Sequence, residues 1–172
     1  QHVRSAVGMI GEIAVAGGLY AAQQDDFPIT VRRGFSISNL IVSNEPIRYT
    51  GLDSPDAVVI LSSDGLARFG PLSRLKPSSL VVAPADMPPA DAASSVYILD
   101  LKMLERRAGK ESVALAALTY ALIKAGLISA ASLNTTAKAL PAGPYRQSNL
   151  DAIVEGITLA ENGRTAADQT PS

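Results

Sequence analysis

Three short apolar runs, AVVIL (57–61), SLVVA (79–83) and VYIL (96–99), constrain this chain more than any other feature. Each is a continuous apolar block without polar alternation. That is the pattern of a strand covered on both faces, not of a half-solvated antiparallel strand. Covering both faces of a sheet requires helices above and below it. The runs are therefore the candidate sheet centre, and Val58, Val59 and Ile60 are expected to form a central buried strand.

Helical spacing surrounds these runs. Val7, Ile10, Ala14 and Ala21 recur at three-, four- and seven-residue intervals, which predicts a helix from Val3 packed closely on a sheet, with Gly8, Gly11, Gly17 and Gly18 allowing the approach and Gly17-Gly18 marking its end. Each helical glycine costs about 1 kcal/mol relative to alanine, so packing must hold this helix. ITVRR (29–33) and FSISNLIV (35–42) read as β-prone runs joined at Gly34, and Ser43-Asn44-Glu45-Pro46 ends the second. DGLARFGPLSRL (64–75) predicts one or two short helices interrupted at Gly70-Pro71. The sheet is expected to end near Asp100. Three helices then follow: 110–125 closed by Gly126, 129–140 capped by Ser129, and 144–159 with Leu150, Ile153, Val154 and Ile157 on one stripe. The sum is a three-layer, Rossmann-like α/β domain over residues 1–161, its central sheet mostly parallel and flanked by helices. A polar tail, 162–172, is expected to be disordered.

Composition narrows the function. Fifteen basic residues nearly balance sixteen acidic ones, so no broad positive field exists to hold nucleic acid or an anionic membrane. The most apolar window, 113–131, contains Lys124 and is broken by Gly126, so it reads as a buried helix and not a membrane span. The absence of cysteine excludes disulfides, thiolate zinc sites, iron–sulfur ligation and cysteine nucleophiles. It also fits a reducing, cytoplasmic location. The chain opens at Gln1 instead of Met, so its start is expected to have been processed, truncated or left out.

The residues alone show no complete catalytic or metal-binding set. Arg32 and Arg33 can pair with a phosphate or carboxylate, and Gly34 would let a backbone N–H come close; a solvated turn with a surface ion pair is the plainer alternative. Ser62-Ser63-Asp64-Gly65 follows a presumed parallel strand and opens a helix, where ligands of open α/β sheets often sit, yet the same residues suit an ordinary helix cap. Asp53 and Asp56 precede the AVVIL run and are expected to shape its entry turn. His2 has no partner in the sequence and reads as structural or surface-lying.

Taken in order, these features resemble the γ subunit, or γ-type domain, of the 2-oxoacid:ferredoxin oxidoreductases, the pyruvate and ketoacid oxidoreductase family. Gln1-His2-Val3 and SAVGMIGEIAVAGGLYAA look like that family's glutamine and ensuing helix. Arg33-Gly34-Phe35, Ser36 to Val42 and Ser43-Asn44-Glu45-Pro46-Ile47 resemble its RGG-like turn, strand and acidic turn ending in Pro-Ile. LDSPDAVVILSSDGL, GKESVALAAL and SNLDAIVEGITLA fit its later strand and helices. Two positions depart from the pattern: His2 and Phe35 stand where the family usually has glycine.

The resemblance implies a first strand and glycine-rich loop upstream of Gln1. It implies a noncatalytic subunit of a thiamine-diphosphate and iron–sulfur dependent enzyme that decarboxylates a 2-oxoacid oxidatively to an acyl-coenzyme A. This chain would hold none of those cofactors and be inactive alone. It would contact the thiamine-diphosphate-binding and ferredoxin-like subunits, and shape the coenzyme A side of the site. The residues expected to contact ligand are Gln1, Arg33, Gly34, Ser36, Ser62 and Ser63. A stand-alone α/β domain binding an anionic small molecule is the second reading, and a purely structural homodimer the third.

Overall fold

In the computed structural model, residues 2–26, 35–89, 95–141 and 143–162 are described. Helix α1 (Val3–Ala16) leads to strand β1 (Tyr20–Asp26), and strand β2 (Ile37–Ser43) pairs antiparallel with it, from Tyr20 opposite Ser43 to Asp26 opposite Ile37. Strands β3 (Ala57–Val59), β4 (Leu80–Pro84) and β5 (Ser95–Leu99) form a separate parallel sheet in the order β3-β4-β5. Helix α2 (Ser63–Phe69) and a 3-10 turn (Leu72–Arg74) lie between β3 and β4. Helices α3 (Leu101–Ala108), α4 (Val113–Lys124), α5 (Ala130–Ala139) and α6 (Arg146–Asn162) follow β5.

The three apolar runs form the parallel sheet, and alternation along β4 divides the core in two. Leu80 and Val82 join the larger cluster with Ile10, Leu99, Leu104, Leu115 and Ile153; Val81 and Ala83 join the smaller one with Ile60, Leu72 and Leu75. The register carries this division across the sheet. Val58, Val81 and Val96 align on the α2 side, and Val59, Val82 and Tyr97 on the α4 side. Successive side chains of a strand point to opposite faces, so one apolar run serves both layers.

The expectation for Val58–Ile60 is corrected. All of β4 is buried, whereas β3 has a strand neighbour on one side only among the described residues, and Ala57, Val58 and Val59 are half-buried. Ile60, just beyond β3, is buried. A continuous apolar run reports covered faces, but which run lies in the middle is a matter of strand order. The central strand is β4.

The early β region also differs. YAAQQDD forms β1, although Ala21 had been placed on the helical stripe; its polar Gln and Asp residues hid a strand that is half-solvated in an antiparallel ribbon. ITVRR lies outside the described residues. Helix α1 packs on a sheet as expected, and the sheet it meets through its glycines is this two-stranded ribbon: Gly8 faces Gln23, and Gly11 faces Leu40 and Ala21. Helix α1 ends where expected. Gly18 (φ 86°) reverses the chain as the Leu19 N–H reaches the Ala14 carbonyl at 3.0 Å and the Gly18 N–H reaches Val15 at 2.9 Å, satisfying carbonyls that the helix end leaves open.

Helix α3 was not foreseen, and the helix expected from Lys110 begins at Val113 as α4. Asp100 caps α3 by accepting the Met103 N–H at 2.9 Å, and Leu104 is its buried anchor. A two-turn helix with one buried side chain leaves a faint periodic signal. The remaining boundaries match closely. Gly70-Pro71 separates α2 from the 3-10 turn, and the Ser129 hydroxyl accepts the Ser132 N–H at 3.1 Å at the start of α5. Helices α4 and α6 cross at Gly156, where an added Cβ would lie 2.5 Å from the Ala116 carbonyl oxygen and 2.7 Å from Thr119 Cβ.

Candidate functional site

The carboxyl ends of parallel strands are where open α/β sheets bind ligands, because the loops and helix starts that follow gather there. After β3, Ser62 is half-buried and caps α2 by accepting the Gly65 N–H at 3.2 Å. Its oxygen is thus engaged in holding the turn. Ser63 is exposed at the first position of α2, and Ser36 is exposed just before β2. Gln1, Arg33 and Gly34, with Arg32, lie outside the described residues.

Arg68, in the last turn of α2, links that helix to the end of the ribbon beside Ser36. Arg68 of α2 donates from Nε to Asp26 Oδ2 at 3.1 Å, with Nη2 2.9 Å from the same oxygen. Its guanidinium carbon lies 5.2 Å from the Phe35 ring centroid. The partners are far apart in sequence, so no local spacing announces the contact.

A small crevice of about 110 Å³ opens beside the end of β3, lined by Leu61 with Leu101, Glu105, Lys110, Val113 and Ala114. Lys110 stands between α3 and α4 and supplies a cation there. A larger groove, about 290 Å³, runs between α1 and the α5–α6 connection past Met9, Glu12, Leu140, Tyr145 and Leu150. Its lining includes none of the expected site residues.

At the other side of the ribbon end, a polar network fixes the start of α1. Asp25, whose side chain is 17% exposed, receives Arg4 Nε at 3.1 Å, and the Ser38 hydroxyl donates to its other oxygen. Gln23 Nε2 lies within 3.1 Å of the Arg4 carbonyl, 2.9 Å of Asp25 Oδ1 and 3.0 Å of Ser38 Oγ. Burial pushes the Asp25 carboxyl up, but the hydrogen bonds from Ser38 and Gln23 and the charge of Arg4 outweigh it and hold Asp25 below the usual range. A depressed folded pKa stabilises the fold above the unfolded carboxylate pKa, about 3.9, and the contribution disappears as pH falls through the folded value. Asp25→Asn should therefore be less stable than the parent at neutral pH, and the gap should close in acid. Urea melts at a series of pH values check this; a gap constant with pH would show that Asp25 does not act through its charge.

His2 precedes α1 with a left-handed backbone (φ 48°), which glycine adopts without strain, and its Nε2 lies 4.0 Å from Glu111 Oε1. No metal-ligand set surrounds it among the described residues. Asp56 shapes the entry to β3 as expected: its carbonyl accepts the Leu80 N–H at 2.9 Å, and its carboxylate pairs with Lys76. Among the described residues, no group of three or more His, Cys, Asp or Glu side chains could hold a metal ion, and no helix is long and apolar enough to cross a membrane.

A parallel sheet between two helical layers, with serine turns and a crevice at the strand ends, defines a three-layer α/β protein of the Rossmann-like class. Residues 1–159 match the pyruvate ferredoxin/flavodoxin oxidoreductase family, and the chain belongs to that family. Its fold is similar to that of the keto/oxoacid ferredoxin oxidoreductase γ subunit of Geobacter sulfurreducens (TM-score 0.68, 16% identity, 91% of this chain and 90% of that one). It is similar also to the pyruvate oxidoreductase subunit PORC of Thermotoga maritima (0.64, 13%, 90% and 87%). A third similar structure is the 2-oxoglutarate:ferredoxin oxidoreductase of Magnetococcus marinus, solved with 2-oxoglutarate, coenzyme A and succinyl-CoA bound (0.67, 19%, 94% of this chain); there the match spans 29% of the longer chain. At these identities the likeness is one of fold. No curated protein matches the chain.

Proposed function

We propose that this chain is a noncatalytic γ-type subunit of a 2-oxoacid:ferredoxin oxidoreductase. The observation that carries the reading is the family match over residues 1–159. The donor set agrees with it. Iron–sulfur clusters are held by thiolates, and this chain has no cysteine. The residues present therefore do not fit a cluster. In this reading, thiamine diphosphate and the clusters reside on partner subunits in the cytoplasm, and carry the decarboxylation and electron transfer there.

What this chain contributes is surface. Ser36, Ser62 and Ser63 are assigned to contact with the catalytic subunits and the coenzyme A side of their site, and so, from the sequence alone, are Gln1, Arg33 and Gly34. An arginine fork suits the phosphates of coenzyme A, and a glycine beside it lets backbone approach.

The purified chain should show no turnover with 2-oxoacids, coenzyme A and a viologen acceptor. It should copurify with thiamine-diphosphate-binding and ferredoxin-like subunits when their reading frames are expressed with it, and turnover should appear in that complex. Turnover by the chain alone would sink the subunit reading. Tight coenzyme A binding without any partner would favour a stand-alone domain for anionic small molecules.

A further inference from the structure

Asp26 is the last residue of β1 and Phe35 stands shortly before β2, so the two mark either side of residues 27–34. One side chain touches both. Arg68 turns the N–H edge of its guanidinium to Asp26 and sits over the ring of Phe35. We infer that Arg68 is a positioning residue: it holds the ribbon end that carries Ser36 against the helix opened by Ser62 and Ser63, and so sets the spacing of the contact surface proposed above. The use of that surface rests on the proposed function; the spacing rests on the contacts of Arg68.

The need for such a residue follows from the architecture. Among the described residues, the ribbon and the parallel sheet are separate sheets and share no ladder. Neighbouring side chains of a strand point to opposite faces, and the last two residues of β1 use this to reach two different helices. Asp25 pairs with Arg4 of α1, and Asp26 pairs with Arg68 of α2. The first contact fixes the ribbon to α1. The second fixes it to the last turn of α2, the helix that opens at Ser62 and Ser63. A planar guanidinium can stack on an aromatic face while its edge serves a carboxylate, which an ammonium cannot do in the same way. The opposing view is that a pair 54% and 47% exposed is a surface contact without consequence.

The chain has no cysteine, so Ser36→Cys with Ser63→Cys gives two unambiguous spin-label positions, both exposed. The distance distribution between the labels should be narrow in the parent background and at least twice as wide with Arg68→Ala. Arg68→Lys, which keeps the charge and loses the stacking, should be intermediate. Melting temperatures should stay within a few degrees. Should Arg68→Ala fail to fold, Asp26→Asn removes the same ion pair from the ribbon side and should broaden the distribution likewise. An unchanged width in these variants overturns the inference. Without labels, Arg68→Ala should bind the catalytic subunits at least tenfold more weakly, and Arg68→Lys should recover part of the loss. Broadened spacing with parent-like assembly overturns the proposed use of the surface; a parent chain that never assembles overturns the subunit reading itself.

Discussion

Val81→Asp should leave little or no folded protein. Val81 is fully buried in β4, the central strand of the parallel sheet, and points into the smaller core between Val58 and Val96 on its flanks. The buried side chains of that cluster are all apolar: Ile60, Leu72, Leu75, Val81 and Ala83. A carboxylate there would be set among these apolar side chains. Burying a charge without a partner costs roughly 4–5 kcal/mol or more after relaxation, which is comparable to the whole stability of a typical domain, about 5–15 kcal/mol. Val58→Asp supplies the comparison. Val58 sits on the same face but in half-buried β3, where a longer side chain can turn towards water, so its cost should be much smaller. Solubility, far-ultraviolet circular dichroism and urea midpoints of the two variants check the order. Equal midpoints would mean that β3 and β4 are equally enclosed.

Gly156→Ala should be destabilising despite the better helix propensity of alanine. An added Cβ meets the Ala116 carbonyl oxygen at 2.5 Å and Thr119 Cβ at 2.7 Å, both too close for real contacts. The first of these is backbone, which cannot swing aside. Helices α4 and α6 would have to separate, opening gaps around Ala152 and Ile153, which are buried beside Gly156 on α6. Overpacking of this kind costs about 3 kcal/mol, and the propensity gain returns about 1 kcal/mol, so a net loss of about 2 kcal/mol is expected. For a chain of this length that is a fall of about 4–8 °C in Tm. Gly156→Leu should fall further. A variant that melts at or above the parent temperature would show that the two helices do not meet at this point.

The parts of the fold legible in the sequence are those with a strong local signature. AVVIL, SLVVA and VYIL announced strands because every residue in them had to be covered, and Ser129, Gly126 and Gly70-Pro71 announced helix ends because caps and breaks are local chemistry. YAAQQDD carried no comparable signal: its Gln23 and Asp25 are strand residues engaged by Arg4 and Ser38, which lie well away in the chain. The choice of β4 over β3 as the central strand depended on pairing, which composition does not encode. At the candidate site, Ser62 was readable as a cap, and it is one. Arg68 was not readable at all, since its meaning lies in Asp26 and Phe35.

The separation of the ribbon from the parallel sheet has a consequence for how the chain opens. Cooperative units in native proteins tend to follow supersecondary boundaries, and those with few buried side chains open at lower free energy. Strands β1 and β2 contain no buried residue, whereas β4 is buried throughout. Amide exchange in the native state should therefore report two tiers, with the ribbon amides exchanging through a cheap local opening and those of β4 only when the whole molecule unfolds. In the proposed function, Ser36 belongs to the less protected tier, so that part of the contact surface can adjust to a partner while the parallel sheet remains intact.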